Sequence, residues 1–180
     1  MITFKEYLDE MAYLDPHMDA TDDPKKAEKL TKQWIPTRSV LKMLGSKKVG
    51  ETDTHDIHHT EKEGQEDYTF VNKKTKQPEA CVSGNHNGNK FEVDSVAKKR
   101  TSSLKMPDAL HHLIHHHVDA ISSSHFSKGG KKLFSQVAEK EGIESHEELP
   151  DGTKKKFHPE DSFKNTKTDP EWSNVVLRKK

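Results

Sequence analysis

Five histidines crowd one short stretch of the chain: His111, His112, His115, His116 and His117. On a helix, His111 with His115 and His112 with His116 stand one turn apart, the spacing at which two imidazoles can share a metal ion. His55, His58 and His59 form an earlier group. Cys81 is the chain's single thiol, so a complete tetrahedral site would have to be finished with imidazoles and carboxylates. The wheel positions opposite the later histidines are Leu110, Leu113 and Ile114. The expectation is therefore a solvated histidine arc on an amphipathic helix, with no metal site.

Other reactive side chains are weaker candidates. Glu92 and Asp94 alternate with Phe91 and Val93, so both carboxylates point away from the apolar face of a strand. Ser122, Ser123, Ser124 and His125 hold the ingredients of a hydroxyl–imidazole pair, but neighbours in a strand rarely reach the geometry and no orienting acid is evident. Ser127-Lys128-Gly129-Gly130-Lys131 would place backbone amides at a helix start, without the spacing of a P-loop. Cys81 sits between Ala80 and Val82 with no neighbouring base, so it reads as a packed or edge thiol. Lys98, Lys99, Arg100 and Lys105 give residues 97–105 a local positive charge able to attract an anion.

The elements that must position these groups follow from periodicity. Tyr68, Phe70 and Val71, then Ala80 and Val82, then Phe91 and Val93 mark three strands, with Asn87-Gly88 as a hairpin turn. Pro107 to Val118 is a helix burying Leu110, Leu113, Ile114 and Val118. A short strand follows at 119–123, then a helix capped by Ser127 with Leu133, Phe134, Val137 and Ala138 on its buried stripe, ended by Gly142. Beyond Ile143 a charged loop is expected, with turns at Pro150-Asp151-Gly152 and Pro159. Trp172 and residues 175–177 form a closing strand. Upstream, helices are expected at 1–12, at 25–34 and at 36–44. The organisation is thus an N-terminal helical and flexible region (1–45), a His-rich linker (46–67) with at most an edge strand near Ile57, and one α/β (α+β) domain (68–180). Its sheet should be mixed, mostly antiparallel and flanked by helices.

Composition narrows the function classes. Of the residues, 29% are hydrophobic and 33% charged, and the mean hydropathy is -1.03, so one core with polar segments around it is expected. Thirty basic residues balance thirty acidic ones, which argues against a nucleic-acid partner. One cysteine excludes an intramolecular disulfide. No apolar run spans a bilayer and no signal-peptide core opens the chain, so no membrane partner is expected.

The order of strands and helices from Tyr68 to Ile143 resembles the core of the GNAT acetyltransferase superfamily. The match is most specific in DAISSSHFSKGGKKLFSQVAEKEGI, where Glu139-Lys140-Glu141-Gly142-Ile143 is similar to the family's helix ending. That resemblance implies a cofactor loop at Lys98–Lys105, with Arg100, Thr101, Ser102 and Ser103 cradling the pyrophosphate of acetyl-CoA. It also implies a general base at Asp94. Two departures weigh against activity. Ser103 and Lys105 replace the small residues that let backbone approach phosphate, and Ala138 stands where the family carries a proton-donating Tyr. The expectation is a non-catalytic binding domain with no cofactor. The alternatives are acyl-CoA-dependent N-acyl transfer using acetyl-CoA, and a His-rich metal-binding module.

The first residues, Met1-Ile2-Thr3-Phe4-Lys5-Glu6-Tyr7-Leu8-Asp9-Glu10, resemble the prohead-targeting peptide of T-even-like phage proteins, with Leu8-Asp9-Glu10 as the scissile triplet. This implies a phage accessory or virion-associated protein, found in the host cytoplasm and the virion. Residues 1–10 would engage the capsid or another virion protein. The competing reading is a short amphipathic helix docked on the chain's own core.

Overall fold

The computed structural model describes residues 34–123, 128–158 and 174–180. Among them are the strands β1 (Lys47–Glu51), β2 (His55–Lys62), β3 (Gln65–Asn72), β4 (Pro78–Asn87), β5 (Lys90–Lys98), β6 (Ala120–Ser123), β7 (Ile143–Glu148), β8 (Lys154–Lys156) and β9 (Asn174–Lys179). The helices are α1 (Arg38–Met43), α2 (Met106–His116) and α3 (Lys128–Ala138). All nine strands join one sheet in the order β1-β2-β3-β4-β5-β6-β9-β7-β8. Every neighbouring pair is antiparallel except β5 with β6. The fold is mixed α/β with a mostly antiparallel sheet, and among the described residues strands dominate over helices.

The meander forms as alternation requires. Tyr68, Phe70, Ala80, Val82, Phe91 and Val93 fill one face, and Asn87 pairs with Lys90 across the expected turn. Leu110, Leu113 and Ile114 of α2 join the same cluster, as do Phe134 and Val137 of α3 and Val175 and Leu177 of β9. Fully burying a Leu, Ile or Phe contributes about 1.5–3 kcal/mol, so this face carries most of the folding energy. Both helices lie on it for a topological reason. The crossovers β5-α2-β6 and β6-α3-β7 step the same way across the sheet, and right-handed connections then share one side. The opposite face carries a smaller cluster of Ile35, Cys81 and Ala97 with Trp34 packed against it. Nearby, Thr37 caps α1 by accepting from the Val40 amide.

Two sequence expectations are corrected. Residues 46–67 are not a linker: β1 and β2 run through them and extend the sheet. The alternation was hidden because its buried members are largely polar; His55 and Ile57 are both fully buried, and Thr60 is buried on the other face. Residues beyond Ile143 are not a charged loop but the β7–β8 hairpin. Pro150-Asp151-Gly152 makes its turn, with the Asp151 carboxylate accepting from the Thr153 amide at 2.8 Å. β8 is three lysines, all exposed, a strand by virtue of the hydrogen bonds that β7 offers rather than of its own burial. The closing strand appears as β9, inserted between β6 and β7. The helices expected at 1–12 and before Trp34, the Ser127 cap, Pro159 and Trp172 lie outside the described residues.

Candidate functional site

The parallel pair β5–β6 is the place where the sheet opens. Lys90, Glu92 and the Phe91 between them pair with Ala120, Ser122 and Ile121, and there the ladder stops, while β5 continues to Lys98. At the point of parting, the Ser123 hydroxyl donates to the Val93 carbonyl at 3.2 Å. A side chain thus bridges the first gap that main-chain bonds leave. The chain leaves the carboxyl ends of β5 and β6 towards α2 and α3, and open α/β sheets bind ligands at such ends.

Asp94 sits at an irregularity in this region. Ser83 pairs with Ser95 and Gly84 with Val93, so Asp94 is the extra residue of a β-bulge. Bulges re-aim side chains beside functional clefts. Gly84 admits the bulge, since a Cβ there would fall 2.0 Å from the Glu92 carbonyl oxygen. Asp94 is exposed, and Asn85 Nδ2 donates to its Oδ2 at 2.8 Å. Glu92 lies on the same side, held by Asn87 Nδ2 at 2.9 Å.

The Arg100–Ser103 segment divides in two. Arg100, Thr101 and Ser103 are exposed, whereas Ser102 is buried. The Ser102 hydroxyl donates to Glu79 Oε2 at 2.7 Å, and its oxygen accepts from the Leu104 amide at 3.1 Å. Glu79 also receives His55 Nε2 at 3.0 Å and Asn72 Nδ2 at 3.1 Å. A neutral His55 ring that satisfies both its partners carries its proton on Nε2 and accepts from Thr54 Oγ1 on Nδ1, 2.8 Å away. Burial works against ionisation of Glu79, but the bonds from Ser102 and His55 outweigh it and hold the carboxyl below its ordinary range. Serine and histidine both point at the acid, and the imidazole does not lie between them. This is a structural hub, not a nucleophilic triad. Sequence reasoning missed it because its four members come from separate segments without a motif.

The histidines of α2 are not on a solvated arc. Only His116 is exposed; His111, His112, His115 and His117 are half-buried. His111, His112, His115 and His116 border a pocket of about 590 Å³ whose other walls include Glu51, Asp53, Lys73 and Asp108. Gly50 of β1, unseen as a strand in the sequence, lies against His117 and His112, while His111 Nε2 meets the Glu141 carbonyl at 3.1 Å and His115 lies against Gly142. Burial, then neighbouring imidazoles, pushes His112 and His117 below the ordinary histidine range. The Nε2 atoms of His115 and His117 are buried without a hydrogen-bond partner. Among the described residues, no three His, Cys, Asp or Glu side chains converge in a ready-made metal site.

No protein-family model, curated protein or solved structure matches the chain. The site must be read from its own geometry. Cys81 is buried, and burial pushes its thiol up to about 12; it is a packed residue. Ser124, His125 and Ser127 lie outside the described residues, while Ser122 Oγ is buried without a partner. Ala138 ends α3 as a half-buried residue against the core. Among the described residues, no helix is long and apolar enough to cross a membrane.

Proposed function

We propose that the chain is a phage accessory or virion-associated protein, built on a GNAT-like domain that binds a partner and does not transfer acyl groups. The observation that supports the domain reading best is the short parallel β5–β6 pairing, which parts after Glu92 and Ser122 between two crossover helices. A meander followed by a strand–helix–strand crossover and a further helix is what the resemblance from Tyr68 to Ile143 implies.

Binding without catalysis is favoured by what stands at the reactive positions. Ser102, the buried hydroxyl of the expected cofactor loop, is committed to Glu79. Ala138 has no proton to give a leaving thiolate. Asp94 is exposed and engaged by Asn85, unlike a general base tuned by desolvation. The virion assignment and the role of residues 1–10 in reaching the capsid rest on the resemblance of that peptide alone.

Calorimetric titration with CoA and with acetyl-CoA tests the non-catalytic reading. No saturable heat is expected at micromolar ligand. A dissociation constant in the low micromolar range, about -8 kcal/mol, would overturn it and leave acyl-CoA-dependent transfer as the function, with acetyl-CoA the cofactor.

A further inference from the structure

We propose that His112, His116 and His117 form a three-imidazole site for a divalent transition-metal ion of the zinc class, at the end of α2 where His112 and His116 line the pocket and His117 lies behind them against Gly50 of β1. The site is separate from the β5–β6 opening and does not depend on the GNAT-like reading.

Spacing is the first argument. The ring centroids lie 4.4 Å apart for His112 and His116, 5.6 Å for His112 and His117, and 6.4 Å for His116 and His117. Imidazoles held tetrahedrally at zinc–nitrogen distances of about 2.0–2.1 Å have centroids roughly 5 Å apart. The three rings therefore need rotation, not transport, to bring a nitrogen each onto one ion. His112 and His116 are the one-turn pair of the helix. His117 reaches them because it is the C-cap of α2 and leaves helical geometry, with φ -131 and ψ -28.

The second argument is the orphaned nitrogen. His117 Nε2 is buried without a hydrogen-bond partner. Such an atom in a native structure calls for a water or an ion. It lies beside Gly50 of β1, where a Cβ would come within 2.7 Å of it. Glycine at this position lets the strand pass over the ring without filling the space around it.

Chemistry supplies the third argument. Imidazole nitrogens are the commonest ligands of this class of metal. His116 is exposed, so its ring is free to turn inward. Glu51 and Asp53, across the pocket, are of the type that completes a zinc shell, or water can do so. Three nitrogen donors select a borderline metal over magnesium, which prefers oxygen ligands.

The test uses the full chain, freed of any affinity tag and stripped of metal with a chelator, titrated calorimetrically with zinc chloride and with magnesium chloride at pH 7.5. One saturable equivalent of zinc is expected, with no saturable heat from magnesium. His112→Ala, His116→Ala and His117→Asn should each weaken zinc binding at least about tenfold, and His111→Ala should leave it unchanged. Cobalt substitution should give the visible bands of a tetrahedral ion. Should His112→Ala or His117→Asn fail to fold, the exposed His116 keeps the test open. Absence of saturable zinc binding, binding untouched by His116→Ala, or binding lost in His111→Ala would each overturn the proposal.

Discussion

The Ser102 hydroxyl donates to Glu79 Oε2 at 2.7 Å, tying the loop that enters α2 to the start of β4. The same carboxylate holds His55, which is wholly buried at the start of β2. One acid thus joins three strands to the loop, since Asn72 ends β3.

Replacing this acid should cost more than replacing any one donor. Ser102→Ala removes two bonds, the one donated to Glu79 and the one accepted from the Leu104 amide, but leaves Glu79 its other two donors, so a loss of about 1–2 kcal/mol is expected. Glu79→Ala strands His55 and Ser102 without their acceptor, and about 2–4 kcal/mol is expected because orphaned buried donors carry their desolvation cost. Urea denaturation of the two variants measures the difference. Equal losses would show that Glu79 is not the centre of the network.

Cys81 should be inert in the native protein. Its thiol is buried between the Thr69 and Ser83 hydroxyls, both 3.6 Å away, and burial, with the charge of Asp67, pushes it up to about 12. At pH 8 its thiolate population is then roughly a thousandfold below that of a free cysteine. A disulfide reagent should react only as the chain unfolds, giving a label for global opening. Rapid stoichiometric labelling of the native chain would contradict this packing.

Mild acid should destabilise the fold. Burial holds His58, His112, His115 and His117 below the ordinary histidine range. The unfolded imidazoles titrate near about 6.5, so between that value and the lower folded ones the unfolded chain binds more protons. Stability therefore rises with pH through this window and is lost as pH falls below about 6.5. The groups facing these rings act in both directions. His111, His116, His59 and Lys179 oppose the added charge, Lys48 opposes it at His58, and Asp56 there favours it; Glu51, Asp53, Lys73 and Asp108 line the pocket beside the helix. Asp67 runs the other way, because burial raises its carboxyl and favours the protonated fold in acid. Thermal melts of metal-free protein from pH 7.5 to 5.5 should show a falling Tm. Glutamine at His112 and His115 should flatten the slope, and an unchanged slope would show that these rings do not set it.

Deleting residues 1–10 separates a detachable tag from a docked helix. As a targeting peptide, the segment should leave stability within about 1 kcal/mol when removed, while the protein disappears from purified particles. If it packs on the chain's own core, losing Ile2, Phe4, Tyr7 and Leu8 at roughly 1.5–3 kcal/mol each would cost a large share of a marginal fold. Denaturant melts decide between them, with a loss above about 3 kcal/mol ending the tag reading.

Local pattern carried the sequence a good distance. Period-two alternation around Phe70, Val82 and Phe91 and helical spacing of Leu110, Leu113 and Ile114 are properties of neighbours, so those elements and their buried faces are legible from the residues alone. The same holds for the turns at Asn87-Gly88 and Pro150-Asp151-Gly152. What remained hidden depends on partners distant in the chain. β1, β7 and β8 bury few side chains, and they are strands because an existing edge supplies their hydrogen bonds. β9 enters between β6 and β7 by long-range pairing, which no local periodicity encodes. Glu79, Ser102 and His55 meet only after β2, β4 and the α2 loop are in place. The histidine face shows the division most clearly. A helical wheel sets His112 and His116 opposite the core, but it was the packing of Gly50 of β1 beside His112 and His117 that half-buried His112 while His116 stayed exposed.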